Sequence, residues 1–109
     1  MNYQESFKKG SLEMLILQLL TEKDCYGYEL SQLLFERTGG VFSVPEGSMY
    51  PALYKLSEKG YITFKKELVG KRRERVYYHI EENGRKYLTC LLEAYQVVTD
   101  SILKIIGTN

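Results

Sequence analysis

Four side chains between positions 48 and 55 have the chemistry to grip a polyanion: Ser48, Tyr50, Tyr54 and Lys55. They offer hydroxyls and one cation, the groups that donate to phosphate oxygens and to base edges. They share a short stretch with Met49, Leu53 and Leu56, which recur at the spacing of one helical face. The apolar set suits a core, and the polar set off that line suits a charged groove. Pro51 lacks a backbone donor, so it fits if Ser48 caps the helix and Pro51 falls in the first turn, on the contact face with its neighbours. An ordinary surface helix could carry the same residues, and the next segment of the chain decides between the two.

That segment holds a second group with phosphate chemistry. Lys71, Arg72 and Arg73 crowd the run from Leu68 to Glu74, whose turn residue is Gly70, with Lys65, Lys66 and Arg75 close by. Only Glu67 and Glu74 oppose them, which makes this the strongest local charge bias in the chain. A solvated loop is the competing reading. A basic hairpin directly after a helical unit is what a wing on a nucleic-acid backbone requires.

Other chemistry is sparse. His79 is the only histidine and falls on an expected strand with no nucleophile placed near it. The chain has no phosphate-binding glycine loop and no cluster with metal-ligand spacing, so the expectation is no enzyme, no cofactor and no metal. Cys25 and Cys90 stand far apart and are expected to be reduced, partly buried thiols, as in a cytoplasm. No apolar run approaches the ~18 residues of a membrane span, and the N-terminus has no signal-peptide core. A chain of 109 residues fits one domain with a thin stability margin, so association with a partner would help. The formal net charge of +1 gives no global basic signal, so a nucleic-acid site must come from local clustering.

The elements that must position these groups can be read from periodicity. A first helix is expected from about Glu5 to Thr21, with a stripe of Leu12, Leu15, Ile16, Leu19 and Leu20. Met14 and Leu17 form a second apolar strip beside it. Apolar on more than one side, this helix is either central or pressed against another subunit. A second helix from about Tyr26 to Arg37 buries Leu30, Leu33 and Leu34 and stops at Thr38-Gly39-Gly40. The third, continuing to Lys59 and ended by Gly60, is the reader of a helix-turn-helix. Ile62, Phe64 and Lys66, then Val76, Tyr78 and Ile80, alternate with their neighbours as two strands.

The last helix is expected from about Glu82 to Ile106, with Asn83-Gly84 close to its start. Leu88, Leu91, Tyr95, Val98, Ile102 and Ile105 repeat at spacings of three and four, a heptad seam that Leu92 widens. A terminal helix packed on its own domain is the competing reading. Self-association is the simpler way to cover so long a seam. The expected fold class is mainly α with a β-hairpin wing: a winged helix-turn-helix over residues 1–81, then a C-terminal dimerisation helix over residues 82–109.

Three motifs together resemble the PadR family of transcriptional regulators. Tyr26-Gly27-Tyr28-Glu29-Leu30 is similar to its HGYEL-type signature. Residues 46–62, from Glu46-Gly47-Ser48-Met49-Tyr50-Pro51 through Gly60-Tyr61-Ile62, resemble its G[ST]LYPxLxRLExxGLI reader helix. Arg75-Val76-Tyr77-Tyr78-His79-Ile80 with Glu82, Gly84, Arg85 and Leu88 resembles its RKYYxLTxxGxxxL wing and exit. The resemblance implies a bacterial winged-helix protein, dimeric through its C-terminal helix and belonging to the small subgroup. Some members of that subgroup bind flat hydrophobic compounds at the dimer centre, with an aromatic on the last helix. Tyr95 occupies about that position, in a chain that has no Trp. The family's Gly-Pro-x-Arg-Lys wing is replaced by the more basic Gly70-Lys71-Arg72-Arg73-Glu74.

The expected function is a homodimeric repressor on double-stranded DNA. Ser48, Tyr50, Pro51, Tyr54 and Lys55 would meet the major groove, and Lys71, Arg72, Arg73 and Arg75 the flanking backbone or minor groove. Two-fold symmetry implies an inverted-repeat operator with half-sites ~34–36 Å apart. Met14, Leu17, Leu91, Tyr95 and Val98 are candidates to line a site for a small hydrophobic or aromatic ligand; a filled dimer core is the competing reading. A winged-helix protein-interaction module without sequence-specific DNA binding is the alternative from another class.

Overall fold

The helix Leu12–Glu22 sits at the centre of the chain's packing, with Met14, Ile16, Leu17, Leu19 and Leu20 buried. A computed structural model describes residues 3–107. The outermost ends of the two expected segments, residues 1–2 and 108–109, lie outside the described residues. The elements run α1 (Gln4–Lys8), α2 (Leu12–Glu22), β1 (Cys25–Tyr26), α3 (Gly27–Arg37), α4 (Glu46–Glu58), β2 (Ile62–Leu68), β3 (Glu74–Ile80) and α5 (Glu82–Ile106). Met49, Leu53 and Leu56 of α4 pack with Ile16, Leu17, Leu19 and Leu20 of α2 and Leu30 and Leu34 of α3. Ile62, Tyr78 and Ile80 close the same core from the sheet, and Leu88 closes it from α5.

The sheet has three antiparallel strands in the order β1-β3-β2. The hairpin pairs Ile62 with Ile80, Phe64 with Tyr78 and Lys66 with Val76, placing these residues on one face. Thr63, Lys65, Glu67, Arg75, Tyr77 and His79 occupy the other face. The short β1 is a correction: Tyr26 is expected to begin a helix, but Cys25 and Tyr26 pair with Tyr78 and Tyr77. Two residues carry too little periodicity to be seen as a strand, and the pairing is with residues about fifty positions away in the chain.

The expected first helix is two helices. Both the backbone N–H and the hydroxyl of Ser11 bond to the Lys8 carbonyl, which turns the chain between α1 and α2. In α2 the expected second strip also changes. Leu17 is 0% exposed and wholly inside the core, whereas Leu12 and Leu15 are only partly buried. Leu17 therefore cannot line an outer site. Cys25 is buried as a thiol, but Cys90 is exposed, contrary to the expectation of two partly buried thiols.

The α4 helix begins at Glu46 with Pro45 as its N-cap, and the Pro45 carbonyl accepts the N–H groups of Ser48 and Met49. Ser48 is therefore not the cap, and Pro51 lies in the second turn rather than the first. The missing Pro51 donor leaves the Gly47 carbonyl without its helical partner. Both residues are exposed, so that carbonyl lies on the solvent side of the helix.

The α5 helix leaves the domain through a close contact. A Cβ on Gly84 would stand 2.1 Å from the Tyr61 carbonyl oxygen, so only glycine fits there. The same carbonyl accepts the Glu81 N–H at 2.9 Å, and the Tyr61 and Tyr87 rings stack at 4.3 Å. Leu88 is 5% exposed and belongs to its own domain's core, which removes it from the expected seam between subunits. Beyond it the side chains lose cover: Tyr95, Val98, Ile102 and Ile105 are all exposed, Ile105 at 87%.

Candidate nucleic-acid interface

The outward face of α4 is set by its buried one. With Met49, Leu53 and Leu56 inward, a turn of roughly 100° per residue puts Gly47, Pro51, Tyr54 and Glu58 on the opposite side. Of the five expected contact residues, Pro51 and Tyr54 lie on this outer face and Ser48, Tyr50 and Lys55 flank it. Tyr50 and Lys55 stand roughly 140° apart around the axis and flank the outer face from opposite sides.

On one flank, Tyr50 leans on the start of α3. A Cβ on Gly27 would lie 3.2 Å from the Tyr50 ring, so the glycine of the Tyr26-Gly27-Tyr28 run makes room for it. Tyr78 lies near the Tyr50 hydroxyl, and burial first, then that neighbour, raises the Tyr78 phenol above its ordinary range. On the other flank, the Lys55 ammonium is 3.3 Å from a Glu13 carboxylate oxygen on α2, and the Tyr87 hydroxyl donates to Glu13 at 3.4 Å. Lys55 is therefore half committed to its own fold. Ser48 lies on this flank too, beside Lys8, Lys9 and Pro45.

Tyr54 projects furthest, 70% exposed. Its hydroxyl hydrogen-bonds Glu58, which raises its pKa and keeps the phenol a neutral donor. Glu58 is an acidic group on the outer face that sequence reasoning misses. Its position two residues after Leu56 is the available signal, since that offset places it opposite the buried stripe.

The wing differs from expectation at one residue. Lys71, Arg72 and Arg73 occupy the exposed tip between β2 and β3. Arg75 does not join them: its guanidinium sits 4.3 Å from the centroid of the Tyr26 ring, on the sheet face turned away from α4. A hydrogen bond with Tyr77 raises its pKa further, and Tyr77 meets Tyr26 edge-on at 5.5 Å. Arg75 therefore braces β1 against β3. His79 lies on the same outer face, with Nδ1 2.8 Å from an Asp24 carboxylate oxygen.

A second concavity lies away from this surface. Met14, Leu91, Tyr95 and Val98 line a groove of about 530 Å³ between α5 and the α1–α2 turn, together with Phe7 and Ile102. Four of the five expected ligand-site residues thus come together, and Leu17 does not. Among the described residues no group of His, Cys, Asp and Glu could hold a metal ion, and no helix is long and apolar enough to cross a membrane.

Comparison with known proteins gives a consistent result. Residues 16–90 match the family described as "Transcriptional regulator PadR-like family". The chain is 29% identical over 91 residues to the negative transcriptional regulator PadR of Bacillus subtilis, covering 84% of this chain and 50% of that one. Among solved structures, a transcriptional regulator from Clostridium thermocellum superposes with a TM-score of 0.84 at 30% identity, covering 91% of this chain and 96% of that one. Bacillus subtilis PadR in complex with operator DNA gives 0.69 at 31% identity, covering 74% of this chain and 46% of that one. The chain thus spans about half the length of the Bacillus subtilis protein.

Proposed function

Because the chain belongs to the PadR-like family of transcriptional regulators, whose members are not enzymes, we propose that it represses transcription as a homodimer on an inverted-repeat operator. It would act in the cytoplasm, where the DNA is. Residues 1–81 carry the DNA contacts, and residues 82–109 hold two copies together beyond Leu88. Tyr54 and Pro51 face the major groove, with Ser48 and Tyr50 at its walls and Lys55 reaching phosphate when it leaves Glu13. Lys71, Arg72 and Arg73 take the flanking backbone.

The observation that carries this reading is one juxtaposition: a helix with a hydroxyl-bearing outer face lies against a hairpin whose exposed tip holds three consecutive cations. The Bacillus subtilis relative, named a negative regulator and solved on operator DNA, supports both the DNA target and the direction of control. The exposed run Tyr95, Val98, Ile102 and Ile105 supports the dimer, since water is a poor neighbour for so much apolar surface. The groove along Met14, Leu91, Tyr95 and Val98 supports a hydrophobic or aromatic effector bound between the two tails. Such a ligand alters DNA binding only by favouring one spacing of the reader helices over another.

A gel-shift titration with the DNA upstream of the protein's own gene, paired with sedimentation, tests the proposal. Saturable, salt-sensitive retention by a two-chain species is expected. Lone subunits at micromolar concentration would remove the dimer. Failure to retain any duplex at low ionic strength would favour a protein-binding module instead.

A further inference from the structure

A cleft of about 320 Å³ separates the reader helix from the hairpin, and it carries no charge. Its lining is Tyr50, Tyr54 and Ser57 from α4 with Phe64, Val76 and Tyr78 from the sheet. Four of these six are aromatic. Phe64 is 58% exposed in the middle of β2, although its cross-strand partner Tyr78 is buried. Phe64 and Tyr78 face each other with ring centroids 6.3 Å apart. Tyr54, which projects furthest from α4, forms the opposite rim, so the cleft opens on the side the reader helix presents. The Ser57 hydroxyl is covered and has no partner among the described residues, so Ser57 is floor and not contact.

We infer that this cleft is a seat for the deoxyribose edge of the DNA strand that passes between reader helix and wing. The inference rests on the proposed DNA binding and deepens it. A helix in the major groove and a hairpin over the adjacent minor groove straddle one sugar–phosphate backbone, so whatever lies between them faces that backbone. The sugar of DNA, lacking a 2′-hydroxyl, offers a C–H surface that suits aromatic faces. The phosphates on either side of it need donors, and these stand at the margins: the Tyr50 hydroxyl on α4, the Tyr54 hydroxyl when it leaves Glu58, and Lys66 one pleat beyond Phe64 on the same sheet face. The surface is thus divided, with apolar contact in the cleft and cationic contact at the tip.

The two kinds of contact leave different signatures. Phosphate neutralisation releases counterions and gives a salt slope; burying a sugar against a ring does not. Phe64→Ala should weaken binding of the full-length protein to a short mixed-sequence duplex by roughly tenfold, on the order of one lost aromatic contact. The slope of log affinity against log salt should stay at the wild-type value. Phe64→Leu, which keeps apolar area, should recover most of the loss. Because Phe64 is exposed, the thermal midpoint of both variants should match wild type, and a shifted midpoint would place Phe64 in the fold and overturn the seat. Wild-type affinity in Phe64→Ala, or a loss accompanied by a flatter slope, overturns it as well. If the wild-type protein itself retains no duplex, the DNA reading fails and the seat with it.

Discussion

The two halves of α5 share one helix and one apolar period, yet they meet different surroundings. In the first half, Gly84 touches the Tyr61 carbonyl, Tyr87 stacks on Tyr61 and Leu88 is buried. In the second, Tyr95, Val98, Ile102 and Ile105 repeat at the same spacing and stay exposed. Period reveals which side of a helix seeks cover; it does not say whether the same chain or another provides it.

The largest expected effects test the covered half. Gly84→Ala places a methyl inside the van der Waals radius of a backbone oxygen and should lower stability by more than about 3 kcal/mol, the upper end for ordinary overpacking. Leu88→Ala should lose ~2–5 kcal/mol at every protein concentration in urea melts. A small effect at both positions would erase the contrast between the two halves. Next comes the exposed half. Val98→Glu with Ile102→Glu should convert a sedimenting dimer to monomer while the variant chain keeps its helical circular dichroism. Unchanged sedimentation would mean that this surface is not what joins two copies.

The reader surface allows a smaller-scale contrast of the same kind, between residues engaged by the fold and residues left free. Arg72→Ala with Arg73→Ala should lower the salt slope by roughly two, about one per lost phosphate contact. Arg75→Ala should leave the slope nearly intact and instead weaken β1, because Arg75 stacks on Tyr26. Tyr54→Ala should re-rank operator sequences by ~1–3 kcal/mol, the scale of a specific base contact. Lys55→Ala should cost less, since Glu13 already holds that ammonium. The smallest contrast lies in the thiols. Burial raises Cys25 to about 12, so it stays protonated and inert, while Cys90 is exposed and open to alkylating reagents. The unfolded thiol ionises from about pH 9 and the folded one does not, so stability falls as pH rises from there toward 12. Equal alkylation rates for the two cysteines in the folded protein would contradict the burial of Cys25.

Local signals are legible in the sequence and distant partners are not. The bounds of α5, the stop after Arg37 and the alternation of Ile62, Phe64, Tyr78 and Ile80 all come from residues within one turn or one strand of each other. Composition also marks the basic tip. Hidden are features decided across the chain: Tyr26 pairing with Tyr77, Lys55 with Glu13, Arg75 over Tyr26, and Leu17 turned wholly inward. Pro51 falls a turn later than the sequence suggests because Ser48 looks like a cap, when Pro45, three residues earlier, already supplies the first carbonyl.

The close contact of Gly84 with the Tyr61 carbonyl has a mechanical consequence. Tyr61 directly follows the glycine that ends the reader segment, and the same carbonyl also holds Glu81, so helix and tail are clamped to a common fulcrum with no slack between them. The tail is 25 residues long, ~37 Å at the rise of an α-helix. It therefore forms a stiff lever: a few degrees of tilt at its far end becomes a displacement of ångströms relative to Tyr50 and Tyr54.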